Sequence, residues 1–298
     1  MNRLDQRLAS ERLLIADGAM GTLVQQRAMA QGFSAPIDID AVMLEYPEIV
    51  GSIHHAYVRA GASLVLTNTF TCSAYQLNKR GHADAFRELH KRAAQVARAA
   101  AGEEGLVLGD MGPIGAFFSP MGSLTLEEAR QAYAERAEAL VQTGCVDGLL
   151  VETQYDLREV ESAIDGIRSV NTLPIVVSMT FDSHGHTMMG VSPEQFAQAM
   201  VNREIHLIGA NCGSSIEETL DALRKIHAAA PHAMLWAKPN AGLPRLEDGV
   251  EIYDLAPKDF AEEAKRFAAL GVKVFGGCCG TSPAHIARVT EALSPTLR

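Results

Sequence analysis

The sequence predicts an α/β fold, a single (β/α)8 barrel that spans residues 1–298 as one domain. Eight short apolar segments alternate with segments of helical periodicity along the whole chain. These apolar segments are continuously hydrophobic rather than alternating, as expected of parallel strands covered on both faces. A length of 298 residues is also usual for one such barrel. An open, doubly wound sheet is the alternative architecture.

The predicted elements follow this alternation from one end of the chain to the other. The predicted strands are 13–17, 63–68, 106–110, 148–152, 174–180, 207–212, 234–239 and 272–276. The clearest helical patterns are 83–101, 126–141, 192–201, 216–229 and 258–270. Ser192 with Gln195, and Thr125 with Glu128, have the spacing of a capping box at a helix start. Residues 27–40 are predicted to form a long loop after the first strand.

The composition excludes several classes of protein. A formal net charge of -10 and the lack of a basic stripe argue against a nucleic-acid partner. No run approaches the roughly 20 apolar residues of a membrane span, and the N-terminus lacks the apolar stretch of a signal peptide. We therefore expect a cytoplasmic protein, whose five cysteines are reduced and available for metal binding or catalysis. The oligomeric state is left open.

Polar residues end nearly every predicted strand, and in barrel enzymes the active site forms at this C-terminal end. The residues at these ends, in chain order, are Asp17, Asn68, Asp110, Glu152, Thr180, Cys212, Asn240 and the pair Cys278-Cys279. The sixth and eighth strand ends lie on one ring in a closed barrel. The sequence therefore predicts that Cys212, Cys278 and Cys279 meet there.

Three converging cysteines predict a zinc site with an open fourth position, which is typical of catalytic rather than structural zinc. Taken alone, Cys212 could equally be a small buried hydrophobic residue. Adjacent cysteines framed by glycine, as in Cys278-Cys279, are less suited to packing because both cannot point into one layer. Cys72 and Cys145 are better explained by packing.

The open position favours activation of a thiol substrate, since zinc removes the proton of a thiol that binds to it. Three cysteinates give the centre a net charge of -1, which keeps a sulfur nucleophile reactive but polarises a carbonyl poorly. A zinc hydrolase with metal-bound water is the alternative class.

Asp17 and Glu152 could hold the ammonium group of a thiol amino acid. The backbone N–H groups of the turn 17–22 could hold its carboxylate, although this segment could also be a plain turn and Glu152 the partner of an arginine.

With these motifs, the chain resembles a known family, the homocysteine S-methyltransferases, from about residue 14 to residue 288. The resemblance rests on six motifs, Asp17-Gly18-Ala19-Met20-Gly21-Thr22, Thr67-Asn68-Thr69-Phe70, Glu152-Thr153, Asn211-Cys212-Gly213, Asn240-Ala241-Gly242-Leu243-Pro244 and Gly276-Gly277-Cys278-Cys279-Gly280-Thr281. Members of this family are zinc barrels that methylate L-homocysteine to methionine.

The resemblance implies a role for individual positions. Cys212, Cys278 and Cys279 match the zinc ligands, and Asn240 matches an asparagine that can approach the metal when substrate is absent. Asp17, Gly18 and Glu152 match positions that hold the amino-acid end of homocysteine. Ala19, in the same turn, and Asn68, at the second strand end, complete the predicted substrate contacts.

The methyl donor is less well determined by the sequence. The first turn, with Gln25 after it, and the segment 112–122 are most similar to the homocysteine-binding module of cobalamin-dependent methionine synthase. This predicts a methyl-corrinoid donor, supplied by a separate protein or by modules outside this chain, for attack by the homocysteine thiolate. S-methylmethionine, S-adenosylmethionine and betaine are the alternative donors. Asp182-Ser183-His184 begins like a cobalamin-binding motif, but Thr187 stands where that motif requires glycine.

Overall fold

An eight-stranded parallel barrel forms the centre of the computed structural model, which describes residues 2–213, 215–243, 245–247 and 250–294. Pro244 of the quoted motif lies outside the described residues. The ten strands are β1 Leu14–Ile15, β2 Leu64–Leu66, β3 Leu106–Met111, β4 Gly148–Gln154, β5 Ile175–Met179, β6 Leu207–Cys212, β7 Leu235–Pro239, β8 Arg245–Glu247, β9 Val250–Ile252 and β10 Val272–Phe275.

Closure of the barrel rules out the open-sheet alternative. The strands follow the order β1-β10-β7-β6-β5-β4-β3-β2. A parallel bridge between Ala16 and Leu64 then joins the two ends of this sheet, and the Asp17 N–H donates to the Leu64 carbonyl oxygen at 3.0 Å. The extra strands β8 and β9, which were not predicted, form an antiparallel hairpin between β7 and β10.

Helices surround this barrel and connect its strands. They are α1 Arg3–Ser10, α2 Gly21–Ala30, α3 Ile39–Glu45, α4 Pro47–Arg59, α5 Ala74–Lys79, α6 Phe86–Ala101, α7 Leu126–Val141, α8 Leu157–Val170, α9 Pro193–Met200, α10 Ile216–Ala229, α11 Pro257–Leu270 and α12 Pro283–Leu293, with a 3₁₀ turn at Ala83–Ala85. Within the described part of the chain, none of them has the length and hydropathy to cross a membrane.

The predicted elements are confirmed with one exception. All eight predicted barrel strands are present, and both capping boxes form at Thr125 and Ser192. The predicted loop over residues 27–40 is wrong at both ends. Helix α2 continues to Ala30, and α3 begins at Ile39 because the Asp38 side chain accepts the N–H groups of Asp40 and Ala41. Only residues 31–38 connect the two helices.

The hydrophobic core has an inner and an outer layer. Inside the barrel, side chains from successive strands, such as Leu14, Leu108 and Trp236, form one buried cluster with Leu4 and Leu8 of α1. The outer layer packs the helices on the strands. Because α1 contributes Leu4 and Leu8 to the inner cluster, that cluster reaches the N-terminal end of the barrel. The polar strand ends lie at the opposite, C-terminal end.

Candidate metal centre

The three predicted ligand cysteines lie together at the C-terminal end of the barrel. Cys212 is the last residue of β6, and Cys278 and Cys279 follow β10 after two glycines. Backbone hydrogen bonds continue beyond β10 and fix this segment. Cys278 N–H donates to the Pro239 carbonyl at 2.8 Å, and the Cys279 carbonyl accepts the Ala241 N–H at 2.9 Å. The barrel therefore places both cysteines by main-chain contacts.

The spacing of the sulfur atoms suits one bound ion. The Cys212 and Cys278 Sγ atoms are 2.7 Å apart, and all three Sγ atoms lie within 4.8 Å of one another. Thiolates around a tetrahedral zinc ion with Zn–S bonds of ~2.3 Å lie about 3.8 Å apart, which falls between these distances. All three cysteines are free and half-buried. Such a soft donor set fits zinc.

Hydrogen bonds among the three sulfurs distribute the protons unevenly. Hydrogen bonds from Cys212 and Cys278 lower the pKa of Cys279 to about 3, and a hydrogen bond from Tyr253 acts in the same direction. Donation to Cys212 and Cys279 raises the pKa of Cys278. Cys279 therefore holds its proton least tightly of the three, and a metal ion bound by all three sulfurs would displace the remaining thiol protons to solvent.

Asp17, at the end of β1, is fully engaged within the protein. Its Oδ2 accepts the Leu66 N–H at 2.9 Å, and its Oδ1 accepts the Lys238 ammonium at 2.9 Å. Both side chains of this ion pair are almost completely buried. Sequence reasoning missed Lys238, although a lone lysine in the apolar run 234–239 was the available signal.

Glu152 and Asp110 are buried carboxyl groups with unsatisfied oxygens. Glu152 Oε1 and Asp110 Oδ1 have no hydrogen-bond partner among the described residues. Burial raises the pKa of Glu152 to about 7, although the nearby Lys238 ammonium acts to lower it. Burial and the neighbouring Glu152 raise the pKa of Asp110 well above its usual range. Buried oxygens without a partner are suited to bind a positively charged group of a ligand.

Asn68 and Asn240 also present free polar atoms at the strand ends. Asn240 Nδ2 donates to the Gly213 carbonyl at 2.9 Å, while its buried Oδ1 has no partner among the described residues. Asn68 Nδ2 likewise has none in the described part of the chain. The resemblance implied an asparagine near the metal, and the unpaired Oδ1 of Asn240 is compatible with that role.

The turn after β1 is packed against the turn that follows β10. Ala19 N–H donates to Thr281 Oγ1 at 3.0 Å, so this predicted carboxylate donor already has a partner. A Cβ on Gly18 would lie 2.5 Å from Thr281 Oγ1 and 2.8 Å from the Tyr57 hydroxyl oxygen. Gly18 is thus needed for close packing. Thr281 and Tyr57 are positioning residues that the sequence did not reveal.

The other two cysteines lie outside the cluster. The thiol of buried Cys72 faces Asp40 Oδ1 at 3.7 Å, and its burial raises its pKa. Half-buried Cys145 donates to the Thr143 carbonyl at 3.4 Å. Both placements are compatible with the packing interpretation.

Comparisons with known proteins show which family the chain is similar to. The model of the homocysteine S-methyltransferase family matches residues 14–293. Methionine synthases of Mycobacterium leprae and Mycobacterium tuberculosis are each 34% identical to this chain in an alignment of 301 positions that covers 96% of the chain. The alignments cover 24% and 25% of those two proteins, so the chain spans about a quarter of their length.

A solved structure extends the similarity to the whole fold. The homocysteine methyltransferase MmuM from Escherichia coli, in its metallated form, gives a TM-score of 0.81 at 25% identity and covers 97% of this chain and 99% of that chain. Its oxidized form gives the same TM-score and identity and covers 98% of this chain.

Proposed function

Since the chain belongs to the homocysteine S-methyltransferase family, we propose that it transfers a methyl group to the sulfur of L-homocysteine and so forms methionine. A bond forms between sulfur and the methyl carbon, the bond between the methyl carbon and its donor breaks, and the thiol proton passes to solvent. The observation that carries this proposal is the convergence of Cys212, Cys278 and Cys279.

The cluster suits a zinc ion, and the relative MmuM was solved in a metallated form. Zinc held by the three cysteines would offer its fourth position to a substrate thiol and lower the pKa of that thiol. Because zinc would lower the pKa of the bound substrate thiol, no general base near that sulfur is required.

The buried polar residues of the barrel end would hold the amino-acid portion of the substrate. Glu152, with its free Oε1, is suited to accept the ammonium group. Asp17, held in place by Lys238, lies at the same end of the barrel. These side chains would aim the substrate sulfur away from the barrel interior, toward a donor held above it. Such positioning is a major source of rate in a two-substrate reaction.

We further propose that the donor is a methyl-corrinoid carried by another protein or by further modules. The support is the 34% identity to two methionine synthases, of which this chain matches about a quarter, compared with 25% to MmuM. S-methylmethionine, S-adenosylmethionine and betaine remain the alternative donors.

A panel of donors tests the reaction. The purified chain, loaded with zinc, is supplied with L-homocysteine and one of methylcobalamin, S-methylmethionine, S-adenosylmethionine or betaine, and methionine is quantified. We expect methionine with methylcobalamin and none with the Cys279→Ala variant. Methionine from a sulfonium or betaine donor alone would overturn the donor proposal but support the reaction. No methionine with any donor would contradict both.

A zinc-edge absorption spectrum separates the alternative classes. Addition of L-homocysteine should raise the number of sulfur neighbours from three to four. A zinc hydrolase would keep an oxygen neighbour and show no fourth sulfur. Zinc in a purely structural role would have four protein ligands and a spectrum that homocysteine does not change.

A further inference from the structure

Two residues of the candidate site have a backbone conformation that side chains disfavour. Thr153 has φ 57° and Cys212 has φ 55°, and they are the two such residues other than glycine in the described part of the chain. A branched residue such as Thr153 is especially strained there. Thr153 lies near the end of β4, directly after Glu152, and Cys212 is the last residue of β6. Surrounding contacts must therefore hold these two backbone conformations.

One buried side chain, the amide of Asn211, holds Thr153 and also reaches the sulfur cluster. Its Oδ1 accepts the Thr153 N–H at 3.0 Å and also the Ser178 hydroxyl. Its Nδ2 donates to Thr153 Oγ1 at 2.7 Å and to Cys278 Sγ at 3.9 Å. Only 1% of Asn211 is exposed. Each half of the amide thus has two partners.

These partners connect the two halves of the candidate site. Asn211 precedes the ligand Cys212 in β6 and contacts Cys278, which comes from the far end of the chain. It also holds Thr153, which follows Glu152 in β4. In the hydrogen bonds of the described residues, no other side chain contacts both Thr153 and Cys278.

We propose that Asn211 is a positioning residue that sets the geometry of the sulfur cluster and, through Thr153, the direction of Glu152. The part concerning Glu152 rests on the proposed function, whereas the part concerning metal affinity does not. Hydrogen-bond partners of metal ligands commonly change metal affinity by about 10–100-fold when they are removed.

Zinc affinity of the full chain tests the proposal without any methyl donor. The metal-free chain is titrated with zinc in competition with a chromophoric chelator, for wild type, Asn211→Ala and Asn211→Asp. The Asp variant keeps an acceptor for Thr153 N–H but loses the donor to Thr153 Oγ1 and Cys278. We expect zinc affinity to fall about 10–100-fold in both variants.

A matched control and a rescue separate positioning from general stability. Asn171 is half-buried and its amide likewise makes hydrogen bonds through both its oxygen and its nitrogen, to Leu173 and Ile167 at the end of α8, so Asn171→Ala should leave zinc affinity unchanged. Thr153→Gly should restore part of the affinity lost in Asn211→Ala, because glycine adopts a positive φ without strain.

The outcomes are distinct. Weaker zinc binding in the Asn211 variants, with rescue by glycine, supports the proposal. A folded Asn211 variant, checked by circular dichroism, that binds zinc as wild type does would overturn it. If the wild-type chain methylates homocysteine, its KM should rise in Asn211→Asp by more than kcat falls. If the wild-type chain is inactive, the proposed function fails but the zinc titration still decides the role of Asn211.

Discussion

The Lys238 ammonium lies 2.9 Å from the Asp17 carboxylate, and this buried pair links β7 to β1 across the intervening strand β10. The pair places one positive and one negative charge beside the sulfur cluster without changing its net charge. Asp17 was predicted from the sequence as a substrate contact. Its fixed partner implies that the carboxylate is held in one orientation before any ligand arrives.

Removal of the lysine should strongly destabilise the protein. In Lys238→Met, Asp17 becomes a buried charge without its partner, and we expect a loss of about 3–5 kcal/mol in the free energy of unfolding. Urea unfolding measures this. Adding Asp17→Asn should recover much of the loss. Lys265→Met, which removes an exposed partner of Glu262, should change stability little. An equal loss in Lys265→Met would refute the explanation.

Replacement of one sulfur ligand should abolish metal retention. Cys279→Ala removes the sulfur that is most acidic in the cluster, and we expect the purified variant to retain almost no zinc and no methyl-transfer activity. The zinc content is measured by inductively coupled plasma mass spectrometry. Cys145→Ala removes a half-buried thiol outside the cluster and should keep about one zinc per chain. Zinc retention and normal turnover in Cys279→Ala would show that the ligand assignment is wrong.

Added bulk at Gly277 should disturb the cysteine segment. A Cβ there would lie 2.4 Å from Thr281 Oγ1, so Gly277→Ala should lower the free energy of unfolding by about 1–3 kcal/mol and weaken zinc binding by displacing Cys278. Gly21→Ala is the matched control, because its nearest neighbour is Ile39 Cδ1 at 3.6 Å. Thermal unfolding distinguishes the two. Equal stability of both variants would contradict the close approach seen at Gly277.

A buried histidine should make the protein sensitive to acid. Burial lowers the pKa of His90 to about 3, whereas histidine in an unfolded chain titrates near 6.5. Its contribution to stability is therefore complete above pH 6.5 and is lost as the pH falls from 6.5 toward 3, because only the unfolded chain takes up the proton. Between pH 8 and pH 5 the free energy of unfolding therefore falls by about 2 kcal/mol through His90.

The variant His90→Gln isolates this effect. Glutamine can still donate to the Phe86 carbonyl, which accepts His90 Nδ1 at 2.7 Å, but it does not titrate. Urea unfolding at pH 8 and at pH 5 measures the effect. The drop in the free energy of unfolding between these pH values should be about 2 kcal/mol smaller in the variant than in wild type. The same pH dependence in both proteins would rule out His90 as a source of acid sensitivity.

Much of the fold and the metal cluster could be predicted from the sequence. Continuous apolar segments mark the strands because both faces of a parallel barrel are buried. Once the barrel is predicted, Cys212 and Cys278 fall at strand ends on one ring although they are 66 positions apart in the sequence. The bounds of α7 and α10 agree with the predicted helices because each follows a regular helical pattern.

The contacts that hold the site could not be predicted in the same way. The pairing of Lys238 with Asp17 depends on which barrel strands are neighbours and on how far each side chain reaches. The hydrogen bonds of Asn211 depend on strained turns that have no signature in composition. The hairpin β8–β9 was missed because its strands are three residues each, too short to give a clear pattern of alternation.

The bond between Ala19 and Thr281 joins residues 262 positions apart, and this has a consequence for how the protein is made. During synthesis the first barrel strand leaves the ribosome long before Cys278 and Cys279, two of the three proposed ligands. Until that segment is made, a nascent chain can offer only Cys212 of the three, and capture of the proposed zinc ion must wait for the turn after β10. Binding of the ion would thus mark chains in which the turns after β1 and β10 have already met.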